Sequence, residues 1–147
     1  MYSRILVPLD GSPFAEAILP HVKMIAGGFG SELILLYVIP TAVPEFAPPS
    51  RPLGKEHAQD QQQRKKLARY LKNMCATLEA ENLRANYLLS QGGVAETILE
   101  VAELMETDVI AMTTRGRSEA KMLLLGSITY HVVRHSPLPV LLIRANE

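Results

Sequence analysis

Residues Met112 to Ser127 read MTTRGRSEAKMLLLGS. The apolar run Val109-Ile110-Ala111-Met112 feeds a Thr-Arg-Gly-Arg turn, and after Gly116 nine residues pass before a Gly126-Ser127 pair opens a helical pattern. A strand that ends in a glycine turn and a helix that starts on Gly-Ser both offer bare backbone N–H groups. Phosphate can approach such groups closely. The rest of the chain reads as the scaffold that brings this stretch to one edge of a sheet.

Downstream, the helix runs from Ser127 to about Arg134. Ser136-Pro137-Leu138-Pro139 breaks it before a strand at Val140-Leu141-Leu142-Ile143. Upstream, Asp108 to Thr113 reads as the fourth strand, and before it Gly92-Gly93 turns into a helix whose Val94, Ile98, Val101-Ala102 and Met105 share a face. Before it, RANYLLSQ (Arg84 to Gln91) alternates only in part, which suits a strand nearer a sheet edge. From about Glu56 the spacing of Leu67, Leu71, Met74, Cys75 and Leu78 predicts a helix closed by Asn82. Its other side carries Gln61, Arg64, Lys65, Arg69 and Lys72, most simply a solvated face.

Between Ile39 and Gly54 lie Pro40, Pro44, Pro48, Pro49 and Pro52, half of the chain's ten prolines. That density predicts a long loop beside the sheet, either a lid over a site or a plain connector. ELILLYV (Glu32 to Val38) and RILVPL (Arg4 to Leu9) are short apolar runs of the kind buried on both faces of a sheet. Asp10-Gly11-Ser12-Pro13 turns into a helix from about Phe14, with Ser12 or Asp10 able to cap it. Ala15, Ile18, Leu19, Val22 and Ile25-Ala26 form its apolar side. Pro20 predicts a kink, and Gly27-Gly28-Phe29-Gly30 predicts its end.

The order β-α-β-α-β-α-β-α-β with doubly buried strands implies an α/β fold, a five-stranded parallel sheet with helices on both faces. Its 147 residues predict a single domain, 1–147. Ligands on such sheets bind beyond the carboxyl ends of the strands, where the strand order reverses. If the first and fourth strands are neighbours there, the Asp10 turn, the exit of Val38 and the Thr113–Gly116 turn converge.

Composition narrows the classes. Lys+Arg and Asp+Glu each number 15, so the formal net charge is zero, against the strongly basic face that nucleic acid requires. One cysteine, Cys75, excludes an internal disulfide and suits a reducing compartment. No apolar run reaches the roughly 18 residues of a membrane span, and the N-terminus reads directly into a strand. A soluble cytoplasmic protein is the expectation.

Each converging feature has two readings. The Asp10 carboxylate can hold Mg²⁺ against a phosphate, or a ribose hydroxyl, or simply cap a helix. Gly116 and Gly126 permit close backbone approach, and Ser127 adds a hydroxyl at a helix N-terminus. Arg115 and Arg117 supply charge, although exposed loop arginines are common. Other chemistries fail on spacing. Neither G-x-G-x-x-G after the first strand nor G-x-x-x-x-G-K-[ST] is present, since Gly54-Lys55 continues with Glu56. His131 and His135, four apart, can share a metal but lack a third ligand, and His21 and His57 have no partner in view. No Ser/His/Asp or Cys/His set is present and G-x-S-x-G is absent.

Three segments, RILVPLDGSPFAEAIL, LLYV and TTRGRSEAKMLLLGSITYHVVRHSPLPVLLIR, give the chain a resemblance to the universal stress protein family across essentially its whole length. The family's nucleotide-binding branch has Gly, two residues, Gly, nine residues, then Gly-Ser. Gly116 and Gly126-Ser127 are in register with it, while Thr113 replaces the first glycine. That replacement puts a Cβ and a methyl where the family's backbone approaches the nucleotide. The resemblance implies a Rossmann-like sheet of adenine-nucleotide-binding type with strand order 3-2-1-4-5, binding ATP or AMP. It implies that Val38 meets adenine through its backbone beside Pro8, and that Asp10 faces the ribose or a phosphate-bound Mg²⁺. Met112, Thr113 and Gly116 would line the turn, and Gly126, Ser127 and Ile128 would hold phosphates. It also implies a two-fold dimer through the last strand, and the apolar edge of Val140 to Ile143 independently calls for cover.

The function expected is an adenine-nucleotide-binding stress-response module, regulatory through dimer or partner contacts. The alternative is an interaction or signalling protein of the same fold with an empty pocket, which Thr113 favours. Catalysis is not expected. Slow ATP hydrolysis through Asp10 and Mg²⁺ would need a positioned general base that the sequence does not show.

Overall fold

The computed structural model describes residues 1–41, 53–115 and 125–145. Five parallel strands, β1 (Arg4–Leu9), β2 (Glu32–Pro40), β3 (Arg84–Gly92), β4 (Val109–Arg115) and β5 (Val140–Ala145), form one sheet in the order β3-β2-β1-β4-β5. This is the Rossmann-like 3-2-1-4-5 arrangement. The strand read as nearer an edge, β3, is an edge strand, and β5 is the other.

Alternation along the strands separates two cores. Ile5, Val7 and Leu9 of β1, Leu33 and Leu35 of β2, and Val109 and Ala111 of β4 pack on one face. That face is covered by α1 (Pro13–Glu16), α2 (Leu19–Phe29) and α3 (Leu53–Ala80). Leu6, Ile34, Leu36, Val38, Ile110 and Met112 face the other way, beneath α4 (Val94–Leu104) and α5 (Ser127–His135). Strands buried on both faces are why their sequences are continuous apolar runs.

Four boundaries differ from the sequence expectations. Pro20 does not kink one helix but divides two, with α1 ending at Glu16 and α2 beginning at Leu19. Proline lacks the N–H that would reach the Glu16 carbonyl, and its ring crowds that carbonyl, so the break falls a turn before it and Pro20 becomes a first-turn residue of α2. Gly27 and Gly28 stay inside α2. Only Gly30, at φ 67°, takes the left-handed conformation that ends the helix, where its N–H donates to the Ala26 carbonyl. The predicted loop from Ile39 to Gly54 is shorter at both ends. Ile39 and Pro40 continue β2 opposite Gln91 and Gly92, and α3 begins at Leu53 rather than Glu56. Pro40 fits because it is the last residue of its strand. A lid or connector role for 42–52 lies outside the described residues. Finally, the fourth strand does not end at Thr113: Thr114 and Arg115 extend β4, paired with Arg144 and Ala145. Ladder pairing with β5 carries the strand through them, and the β-branch of Thr114 suits it.

Candidate functional site

The site is built at the switch point. β1 pairs with β2 along its whole length, Arg4 to Leu9, but with β4 only at Ile5↔Val109 and Leu6↔Ile110. β1 continues three residues beyond that ladder and β4 five. A parallel sheet whose central strands stop pairing before they end has a crevice at its carboxyl edge, with helix N-termini around it.

Pro8 lies across from Leu36, a residue of the core under α4 and α5, so it faces that side. Val38 and Met112 belong to the same core, each 7% exposed. The three residues therefore share one face at the crevice. α5 packs on that face through Val132 and begins at its mouth. Gly126 is the cap residue at φ 78°, ψ 151°, with no side-chain bond closing the helix start. That backbone conformation is essentially restricted to glycine. Ser127 and Ile128 follow, both exposed, and their amides stand at the positive end of the α5 dipole.

Asp10 is the first residue past β1. Its Oδ1 accepts a bond from the Ser12 N–H at 2.9 Å, and Ser12 Oγ accepts one from the Ala15 N–H at 3.2 Å. The two expected cap candidates thus divide the work: Ser12 caps α1, while Asp10 closes the turn before it and stays exposed. Among the described residues no group of three metal-ligating side chains occurs.

Thr113 is not with Met112. It pairs with Ile143, which packs against the core beneath α1–α3, and paired residues of neighbouring strands share a face. The Thr113 side chain is therefore on the face opposite Pro8, Val38 and Met112. Thr114, half-buried, is on their side. It was missed by sequence reading, although strict alternation from Met112 would have singled it out. Arg115 ends β4, and Gly116 and Arg117 lie outside the described residues. Of the expected set, Pro8, Asp10, Val38 and Met112 thus lie toward the carboxyl edge of the sheet, and Gly126, Ser127 and Ile128 open the helix that packs on the face of Pro8, Val38 and Met112.

The remaining candidates resolve simply. His131 stands 3.8 Å from the Glu96 carboxylate, which ties α5 to α4, and its ring lies 4.4 Å from that of His135 on the same helix, tilted by 42°. Cys75 is buried under α3, and burial, helped by Glu79, pushes its thiol up to about 11. A thiol held protonated is a packing group and not a nucleophile.

Comparison with known proteins agrees with this architecture. The family model described as the universal stress protein family matches residues 1–144. A universal stress protein of Methanothermobacter thermautotrophicus is 32% identical over 144 residues, covering 98% of this chain and 97% of its own length. The solved structure of MJ0577, a universal stress protein of Methanocaldococcus jannaschii, has a TM-score of 0.71 at 30% identity, covering 100% of this chain and 99% of that one. The same fold is seen in a universal stress protein solved in complex with cAMP (TM-score 0.69, 16% identity, 97% of each chain). It is seen again in one from Archaeoglobus fulgidus in complex with dAMP (TM-score 0.64, 16% identity, 97% and 98% covered). Sequence match, topology and coverage concur, and the chain belongs to the universal stress protein family.

Proposed function

We propose that this protein binds an adenine nucleotide, ATP or AMP, in the crevice between the carboxyl ends of β1 and β4, and acts by regulation rather than by catalysis. The observation that carries this reading is the early end of the β1–β4 ladder beside a helix that starts on Gly126 at positive φ. An apolar wall of Pro8, Val38 and Met112 suits a purine, and the α5 N-terminus suits phosphate. Asp10, exposed at the mouth, is placed for a ribose hydroxyl or a phosphate-bound Mg²⁺. Related proteins of this fold in complex with cAMP and dAMP support a nucleotide as the ligand class.

The test is direct. Protein purified without added nucleotide is denatured and the supernatant chromatographed for adenine nucleotide, and ATP and AMP are titrated against wild type and Gly126→Asp. Saturable binding lost in the variant supports the reading, whereas no released nucleotide and no saturable binding would remove it. The alternative, an interaction protein with an empty pocket, drew on Thr113, and a side chain on the opposite face gives it no support.

The reading includes a homodimer through β5, a sheet edge whose Val140 to Ile143 are all half-buried and apolar. Light scattering at micromolar concentration decides it, and a monomer would count against it. Among the described residues no helix is long and apolar enough to cross a membrane. With the single reduced Cys75, this supports a cytoplasmic location.

A further inference from the structure

The turn that carries Asp10 is anchored by an element 54 residues away in sequence. α1 is a single helical turn whose Ala15 packs against the core, and it runs between buried Leu9 and Ile18. The Asp10 and Ser12 bonds are internal to this segment. A polar tie from α3 is added by Tyr70, whose hydroxyl donates to Glu16 Oε1 at 2.5 Å. Tyr70 precedes Leu71, which is fully buried, so α3 is fixed in the core at this point. Tyr37, half-buried at the edge of the same core, pairs with Leu9, the residue before Asp10. Tyr70, Tyr37, Glu16 and Asp10 thus form one polar group behind the turn. Burial first, then the Glu16 carboxylate, holds the Tyr70 phenol protonated far above the ordinary tyrosine range, with Asp10 and Tyr37 adding to the effect. The phenol therefore stays a donor across the neutral range.

We propose that the Tyr70–Glu16 hydrogen bond is a clamp that sets the position of α1, and with it the Asp10–Ser12 turn, at the nucleotide site. Tyr70 is a positioning residue: it acts through Glu16 and touches no ligand. The proposal rests on the nucleotide reading and deepens it, because it links the crevice to α3, which carries no residue of the site. Linkage is reciprocal, so the clamp raises nucleotide affinity and a nucleotide drawn against Asp10 tightens the clamp.

Full-length wild type, Tyr70→Phe, Glu16→Ala, Glu16→Gln and the Tyr70→Phe/Glu16→Ala double variant are titrated with a fluorescent ATP analogue. Amide hydrogen exchange of the nucleotide-free proteins is followed over residues 11–18 and over α4. Loss of one hydrogen bond to a charged group predicts affinity about tenfold weaker in Tyr70→Phe and in Glu16→Ala. The double variant is no weaker than either single one, because both remove the same bond. Glu16→Gln keeps an acceptor oxygen and stays within about threefold of wild type. Exchange over 11–18 quickens in Tyr70→Phe while α4 is unchanged, which a general loss of stability would not produce. Binding by Tyr70→Phe equal to wild type, additive losses in the double variant, or unchanged exchange over 11–18 would overturn the clamp. Failure of the wild type itself to bind would overturn the nucleotide reading instead, and the exchange would still show whether the clamp holds the turn.

Discussion

Thr113 lies directly across from Ile143 in the parallel ladder of β4 and β5. Ile143 packs with the core beneath α1 to α3, whereas Met112, one residue earlier, packs beneath α4 and α5. The residue that breaks the family's glycine pattern therefore supports the sheet from behind, on the face where α1 also rests through Ala15. Thr113→Gly is expected to leave nucleotide affinity within about threefold of wild type. It is expected to cost about 1–2 kcal/mol of stability, from a flexible residue inside a strand and a lost methyl contact. Urea unfolding and nucleotide titration of the same preparation check both halves. A tenfold gain in affinity would show that the threonine does intrude on the site.

Gly126 makes the opposite prediction. A Cβ built there meets no atom of the described residues within 4 Å. The constraint is φ 78°, ψ 151°, which a side chain disfavours by about 1–3 kcal/mol. Gly126→Ala should relax that strain by rotating the backbone at the start of α5, moving the first amides of the helix. Affinity falls while the far end of the helix, at Val132 and Ser136, keeps its contacts. Calorimetric titration with ATP checks this, and a variant that binds like wild type would remove these amides from the site.

Much of this fold could be read from residues, and the failures are physical. RILVPL and ELILLYV are apolar because both faces of their strands are covered, so they are legible without knowing what covers them. The last two residues of β4 were not legible, because Thr114-Arg115 has no apolar signal and runs into a glycine, and the pairing that extends it comes from β5. Pro20 was seen, but its effect was understated: the same apolar spacing continues on both sides of the break, and periodicity does not register a missing N–H. Pro8, Val38 and Met112 were placed at the site by family resemblance, and the sheet shows why they share a face. Thr114 was within reach by alternation. Tyr70 was not, since nothing local links it to Glu16 across 54 residues.

Cys75 sets the expected response to alkali. Unfolded, the thiol ionises near its ordinary value of 9.0, and folded it keeps its proton up to about 11. Between those values the native state holds more protons than the unfolded one, so stability falls as pH rises. Below pH 9 the contribution is fully present. Tyr70, also raised, adds in the same direction above pH 10. Urea midpoints measured from pH 8 to pH 11 should decline, and less so in Cys75→Ala. A thiol reagent at pH 8 should label Cys75 only as fast as the protein opens, so rapid labelling of the native protein would contradict its burial.

Asp108 separates the scaffold from the site. It stands at the amino edge of the sheet, the end away from the crevice. Its Oδ2 accepts bonds from the Ser3 N–H at 2.7 Å and the Arg4 N–H at 2.8 Å, while its own N–H donates to the Arg4 carbonyl at 2.9 Å. One carboxylate thus fastens the first residues of β1 to the start of β4, the same two strands that part at the other end. Asp108→Ala removes two charge-assisted bonds. Water can reach exposed Ser3 but less readily half-buried Arg4, which sets the expected loss at about 2 kcal/mol. Asp108→Asn retains an acceptor oxygen and should lose less. Neither change touches the carboxyl edge, so nucleotide affinity per folded molecule should hold. If Asp108→Ala instead weakened binding as strongly as Gly126→Ala, the separation of the β1–β4 pair would have to be a property of the whole strand pair, and the crevice would be set by how firmly its closed end is tied.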